Sequence, residues 1–171
     1  MEEMDTKSKI IAVTALCADY CRTLEGCRDM EPYEFIGKML NLLPRLYLAF
    51  TDVSPDEDFI PEEADAYFES YVDEDFYDSI RRNIEVLLGP EDTFLETFEE
   101  NMKYSDTPIA ASVSECLADI FQPLFNFISI VKDTEGDKME AAYSECRENF
   151  ESYWAQTLCN VLRALNHLKY K

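Results

Sequence analysis

Residues 112–131 read SVSECLADIFQPLFNFISIV. Val113, Cys116, Ile120, Leu124, Phe127 and Val131 recur at steps of three and four, the spacing that lines up side chains on one face of an α-helix. The two-residue alternation of a half-buried strand is missing. Ser112 with Glu115 three residues later makes the pattern of a capping box, although Thr107-Pro108 offers an earlier start. The apolar stripe runs straight past an internal proline, Pro123.

The same period holds outward in both directions. Downstream, Gly136-Asp137 breaks the chain, and Met139, Tyr143, Cys146, Phe150, Trp154, Leu158, Val161, Leu165 and Leu168 then mark the longest helix. Upstream, Leu95, Phe98 and Met102 suggest a short helix. Tyr77, Ile80, Ile84 and Leu87 mark another, stopped by Gly89-Pro90, and Ala64, Tyr67, Phe68 and Tyr71 a further short one. Residues 51–63, TDVSPDEDFIPEE, form the one long connector. Before it, Ile36, Met39, Leu43, Leu46 and Phe50 follow Pro32, which suits a helix N-terminus, whereas Pro44 should kink or split that helix. Ile10, Val13, Cys17, Tyr20 and Leu24 give a first helix over about residues 6–25, ended by Gly26. The expected fold is all-α, an irregular bundle of six or seven helices in a single domain over residues 1–171, with an acidic connector and short helices at about 51–75. Ser114-Glu115-Cys116 recurs as Ser144-Glu145-Cys146, but the likeness fades within a few residues and marks no repeat.

Composition agrees with a folded chain. Hydrophobic residues make up 47% and aromatics 13%, too rich in core formers for a disordered acidic tail. The start, Met1-Glu2-Glu3-Met4-Asp5, lacks the cationic and apolar regions of a signal peptide. The longest uncharged apolar run, Ile120 to Val131, is too short to span a bilayer. A cytoplasmic protein without membrane contact is expected. Its six cysteines then read as free thiols, with Cys116, Cys146 and Cys159 among the apolar positions of the later helices.

Charge is concentrated in one place. Residues 51–100 carry 18 Asp and Glu against Arg81 and Arg82 alone, so they hold −16 of the net −21. Such a field argues against nucleic acid and for a basic protein partner. The candidate partner-binding residues are Asp56, Glu57, Asp58, Glu62, Glu63, Asp65 and Glu69. Phe59, Tyr67, Phe68, Tyr71, Phe76 and Tyr77 are interleaved with these acids. Turned outward they would anchor a partner; turned inward they would belong to ordinary amphipathic helices with solvated acids.

Catalytic patterns are sparse. His167 is the one histidine and residue 164 is Ala, which excludes a di-iron bundle of Glu-x-x-His pairs; with Lys169 and Lys171, His167 instead complements the negative end of the last helix. Cys17, Cys21 and Cys27 lack zinc-site spacing, and Asp56-Glu57-Asp58 lacks the glycine and second half of a calcium loop. No Gly-x-Ser-x-Gly occurs, and Gly26, Gly37, Gly89 and Gly136 are all isolated, so neither a nucleophile elbow nor a nucleotide loop is present. No catalytic residue, metal ligand or cofactor is assigned. The leading expectation is a non-catalytic interaction domain. The alternatives are a magnesium-dependent phosphohydrolase using Glu62, Glu63, Asp65, Glu115 and Asp119, and a structural homo-oligomer.

Several stretches carry a family likeness. SECLADIFQ, residues 114–122, is similar to a SE-x-LADIYQ signature, and Tyr153-Trp154-Ala155-Gln156-Thr157-Leu158 with Leu162-Arg163-Ala164-Leu165-Asn166-His167 to a YWGQ-x-L…LRALH ending. Leu43-Pro44-Arg45-Leu46-Tyr47-Leu48 and Leu87-Leu88-Gly89 fit the same pattern in order. Together they resemble a bacterial domain-of-unknown-function family of the Bacteroides type, numbered 5063. Ala155 stands in place of the pattern's Gly, and Asn166 intervenes before His167. The resemblance implies an all-helical protein and no particular activity.

The same residues suggest a structural polar network of Glu115, Asp119, Arg163 and Trp154. Glu115 and Asp119 are four apart on one helix face, Arg163 is a candidate partner for either carboxylate, and Trp154 would close the bundle against Ile120 and Leu124.

Overall fold

The computed structural model describes residues 5–55, 68–96 and 109–171. Helix α1, Thr6–Glu25, begins where the Asp5 carboxylate accepts the Ser8 amide at 2.7 Å. Its stripe Ile10, Val13, Cys17, Tyr20 and Leu24 is buried, as the period requires, and Gly26 caps it by donating to the Arg22 carbonyl. Helix α2, Pro32–Asp52, has its proline at the start, where an amide hydrogen would be unused.

Pro44 does not divide α2, nor does Pro123 divide the later helix that contains it. A proline forfeits one backbone hydrogen bond. On α2 that loss is outweighed by continuous burial of Leu42, Leu43, Leu46 and Phe50 on either side.

Helix α3, Glu74–Leu88, is capped by Asp73, which accepts the Phe76 amide at 2.8 Å. It buries Ile80, Ile84 and Leu88 and stops at Gly89, whose φ of 59° lies in the region that glycine tolerates best. A short antiparallel pair comes next, β1 Thr93–Leu95 and β2 Ala110–Ser112, with Phe94 opposite Ala111. This corrects the expectation of a helix through Leu95; Phe98 and Met102 lie outside the described residues. Three-residue strands are too short to display alternation, and their pairing is set by a segment distant in sequence.

Helix α4, Val113–Asp133, is the quoted stretch, and it packs on α1 and α3. Ser112 is its N-cap and accepts the Glu115 amide at 3.2 Å. Buried Asp92 adds a second cap, accepting the Ser114 amide at 2.8 Å and the Ser114 hydroxyl at 2.6 Å. After a turn at Gly136 (φ 86°), α5, Met139–Asn149, passes through a π-turn, Phe150–Trp154, into α6, Ala155–Tyr170. The expected longest helix is thus one unbroken helical run with a π-turn in it. Helix α4 also packs on α5 and α6, while α2 lies along α6.

One contiguous core joins these helices. The Trp154 ring meets Phe50 and Phe150 edge-on at 4.9 and 4.6 Å, and its indole N–H donates to the Cys146 carbonyl at 3.3 Å. Tyr143 donates to the Val53 carbonyl and Arg147 to that of Phe50, satisfying acceptors at the end of α2. All six cysteines are free thiols, and five are buried. Cys159 is the exception: it is exposed, off the buried Leu158–Val161–Leu165 stripe of α6. Among the described residues no helix is long and apolar enough to cross a membrane.

Candidate functional site

Of the acidic residues singled out for partner binding, Glu69 is exposed, and Asp56, Glu57, Asp58, Glu62, Glu63 and Asp65 lie outside the described residues. In the described remainder of the segment, Asp73, Glu74, Asp75, Glu85 and Glu91 are exposed. Arg81 is already engaged, lying 3.6 Å from Asp78 and hydrogen-bonded to Glu85 one turn on. The aromatics of α3 face inward: Phe76 packs on Phe121 and Phe125 at 5.5 and 5.1 Å. Tyr71 is 39% exposed, yet its hydroxyl donates to Asp133 and its amide to Asn126, each at 2.7 Å.

A second acidic site has a defined shape. A cleft of about 320 Å³ lies between β2, the first turns of α4 and the start of α6. Glu115, Cys116 and Asp119 form one wall, with Ala111, Ser112 and Glu96 beside them. Ser152, Tyr153, Gln156, Thr157 and Asn160 form the other. The stretches SECLADIFQ and YWAQTL, far apart in sequence, therefore face each other across this space. The π-turn matters to that geometry. An extra residue in a helical turn rotates the downstream side chains by roughly 100° relative to an uninterrupted α-helix. Tyr153 then reaches the cleft while its neighbour Trp154 stays in the core.

Asp119 is the hinge of the site. One of its oxygens accepts the Tyr77 hydroxyl from α3 at 2.6 Å, and the other accepts the Tyr153 hydroxyl at 3.1 Å. Burial, then the charge of Asp119, pushes the Tyr153 phenol up to about 12. Burial and the Asp119 hydrogen bond raise Tyr77 as well. Both phenols therefore remain protonated donors at neutral pH. Burial, reinforced by Glu96, pushes the Cys116 thiol up to about 12, so it is a poor nucleophile there.

The expected four-residue polar network does not assemble. Arg163 donates to the Leu95 carbonyl at 2.6 Å rather than to Glu115 or Asp119. It lies ten residues beyond Tyr153 on the same helical run, roughly 15 Å along the axis, and so grips β1 instead. Trp154 is bound to Cys146 and its aromatic neighbours, and Glu115 is exposed. The member that does form a network is Asp119, with Tyr77 and Tyr153. Tyr77 carries a signal in the sequence, since a hydroxyl on an inward helix face needs a partner, whereas Tyr153, off the buried stripe, carries none. Among the described residues no three His, Cys, Asp or Glu side chains are grouped to hold a metal ion. Glu62, Glu63 and Asp65 of the magnesium alternative lie outside them.

A comparison with curated proteins finds no match. Among solved structures, the crystal structure of protein BF1032 from Bacteroides fragilis is similar at 29% identity and a TM-score of 0.77, over 95% of this chain and 96% of that one. The model of the family described as "Domain of unknown function (DUF5063)" matches residues 4–171. Two motifs meeting at one cleft, a helical fold shared along nearly the whole length, and a family match of the same extent agree: this chain belongs to the DUF5063 family.

Proposed function

We propose that the chain is a non-catalytic helical interaction domain that binds a basic protein partner through its acidic segment, residues 51–100. The observation that carries this reading is the uncompensated charge on the described part of that face. Among the described residues, Glu69, Asp73, Glu74 and Asp75 are exposed and in no ion pair, whereas Arg81 is occupied by Asp78 and Glu85, Glu91 is paired with Lys171, and Arg82 is exposed beside them. Carboxylates so arranged accelerate encounter with a Lys- and Arg-rich surface and disfavour acidic ones. With Phe76 and Tyr77 turned inward, the described face offers charge more than aromatic anchors, so binding should weaken steeply with salt.

The test is recovery of partners on the tagged protein at low and high salt, beside a variant with Asp56, Glu57, Asp58, Glu62, Glu63, Glu74 and Asp75 neutralised. A basic protein lost both in high salt and with the variant supports docking. Retention of the same proteins by the variant removes it.

A further inference from the structure

We propose that the cleft between β2, α4 and α6 binds a guanidinium group, carried either by a small molecule or by the arginine side chain of a peptide. This goes beyond the acidic-segment reading, because Glu115 and Asp119 lie outside residues 51–100 and the site is a concave space instead of a charged face.

Size comes first. At about 320 Å³ the cleft is at the small end of ligand sites, room for one compact polar group and not for a large apolar ligand. Charge selects the sign of that group, since carboxylates line the cleft and, among the described residues, no Lys, Arg or His does. Geometry then selects the kind of cation. A small ion needs acceptors converging on one point, and among the described residues no three such side chains are grouped that way. Acceptors spread over two walls suit a planar cation with five N–H donors in a fixed fork.

The individual groups match that requirement. Two tyrosine hydroxyls hold Asp119, one on each oxygen, so its orientation is set before a ligand arrives. A carboxylate offers about four acceptor sites, so these two bonds leave capacity for a forked donor. Glu115 stands one turn away on the same wall. Tyr153 is 52% exposed at the cleft, and an aromatic face in that position can stack on a guanidinium. Gln156 and Asn160 add neutral hydrogen-bonding groups for the remainder of the ligand.

The experiment is a titration of the 15N-labelled protein with agmatine, with the blocked peptide acetyl-Ala-Arg-Ala-amide, and with cadaverine as an ammonium control. Saturable shifts should centre on residues 111–119 and 152–160 and extend to Tyr77 through its bond to Asp119. Agmatine or the peptide should bind more tightly than cadaverine by about tenfold, and Glu115→Gln should weaken that binding by about tenfold. Tighter binding of agmatine identifies a small-molecule site, and tighter binding of the peptide an arginine side-chain pocket. Glu115 contributes only its backbone amide to the helix cap, so the fold should survive its substitution; Gln156→Leu provides a second probe, on the opposite wall. A Glu74→Gln/Asp75→Asn variant should bind as the parent does, which separates this site from the acidic face. Equal binding of cadaverine, shifts centred on the acidic face at residues 69 and 73–75, no effect of either cleft substitution, or no binding at all would overturn the proposal.

Discussion

Tyr77 on α3 donates its hydroxyl to Asp119 on α4 at 2.6 Å, across 42 residues of sequence. The same carboxylate receives Tyr153 from the π-turn at 3.1 Å, so one acidic side chain ties three segments together. Removing Tyr77's hydroxyl with Tyr77→Phe should destabilise the protein by about 1–2 kcal/mol, because Asp119 loses a charge-assisted bond. Urea unfolding monitored by circular dichroism would measure this, and an unchanged midpoint would show the contact to be dispensable.

Alkaline pH should loosen the same junction. The Tyr153 phenol, near 10 in an unfolded chain, is pushed up to about 12 in the fold, and Tyr77 is raised too. The folded state therefore holds these protons more tightly, so their contribution is fully present below pH 10 and fades as pH rises toward 12. Unfolding free energies measured at intervals from pH 8.5 to 11.5 should fall, and fall less in a Tyr77→Phe/Tyr153→Phe variant. A parent and variant with parallel pH profiles would contradict this.

Phe50 sits against Trp154, Phe150 and Tyr143, with ring centroids between 4.9 and 5.6 Å apart. Phe50→Ala opens a cavity where α2 meets the last helical run and should cost about 3–5 kcal/mol. Chemical denaturation is the measure. Trp154, the one tryptophan, should also report the change through its fluorescence.

Asp92 holds both the amide and the hydroxyl of Ser114. Asp92→Ala leaves those buried donors without their acceptor and should cost about 2–4 kcal/mol. Hydrogen exchange should show the Ser114 amide losing protection first. Unchanged exchange there would show that the Ser114 amide does not depend on Asp92.

Thiol reactivity should be sharply unequal. Cys159 is exposed, whereas the other five cysteines are buried, and burial raises Cys17, Cys21 and Cys146 well above an ordinary thiol. A disulfide-exchange reagent should titrate one thiol quickly under native conditions and all six in denaturant. Rapid modification of several native thiols, or a fast-reacting thiol that remains after Cys159→Ser, would contradict the packing.

The helices were the most legible part of the chain. The steps from Ile10 to Leu24 and from Val113 to Val131 depend only on which residues share a face, and burial then favours the reading that periodicity offers. Prolines misled where their local cost was set against a long buried stripe, as at Pro44. Leu95 misled for the opposite reason: an isolated apolar residue continued a helical pattern on paper, whereas its strand partner Ala110 lies 15 positions away. The candidate cleft was half visible. Its motifs are legible in the chain, but the partner of Arg163 is not, because spacing along a helix does not say which segment packs at a given height.

Local order along the chain suffices for the all-α class, most of the helix bounds, the family and the placement of charge. Each depends on periodicity, capping residues and composition, which are properties of neighbours in sequence. Packing alone decides that Tyr77 and Tyr153 meet at Asp119, that Arg163 grips β1, and that the two motifs enclose one cleft. Those outcomes depend on how helices pack against one another and on a one-residue π insertion that turns Tyr153 toward its partner, and neither leaves a periodic trace in the chain.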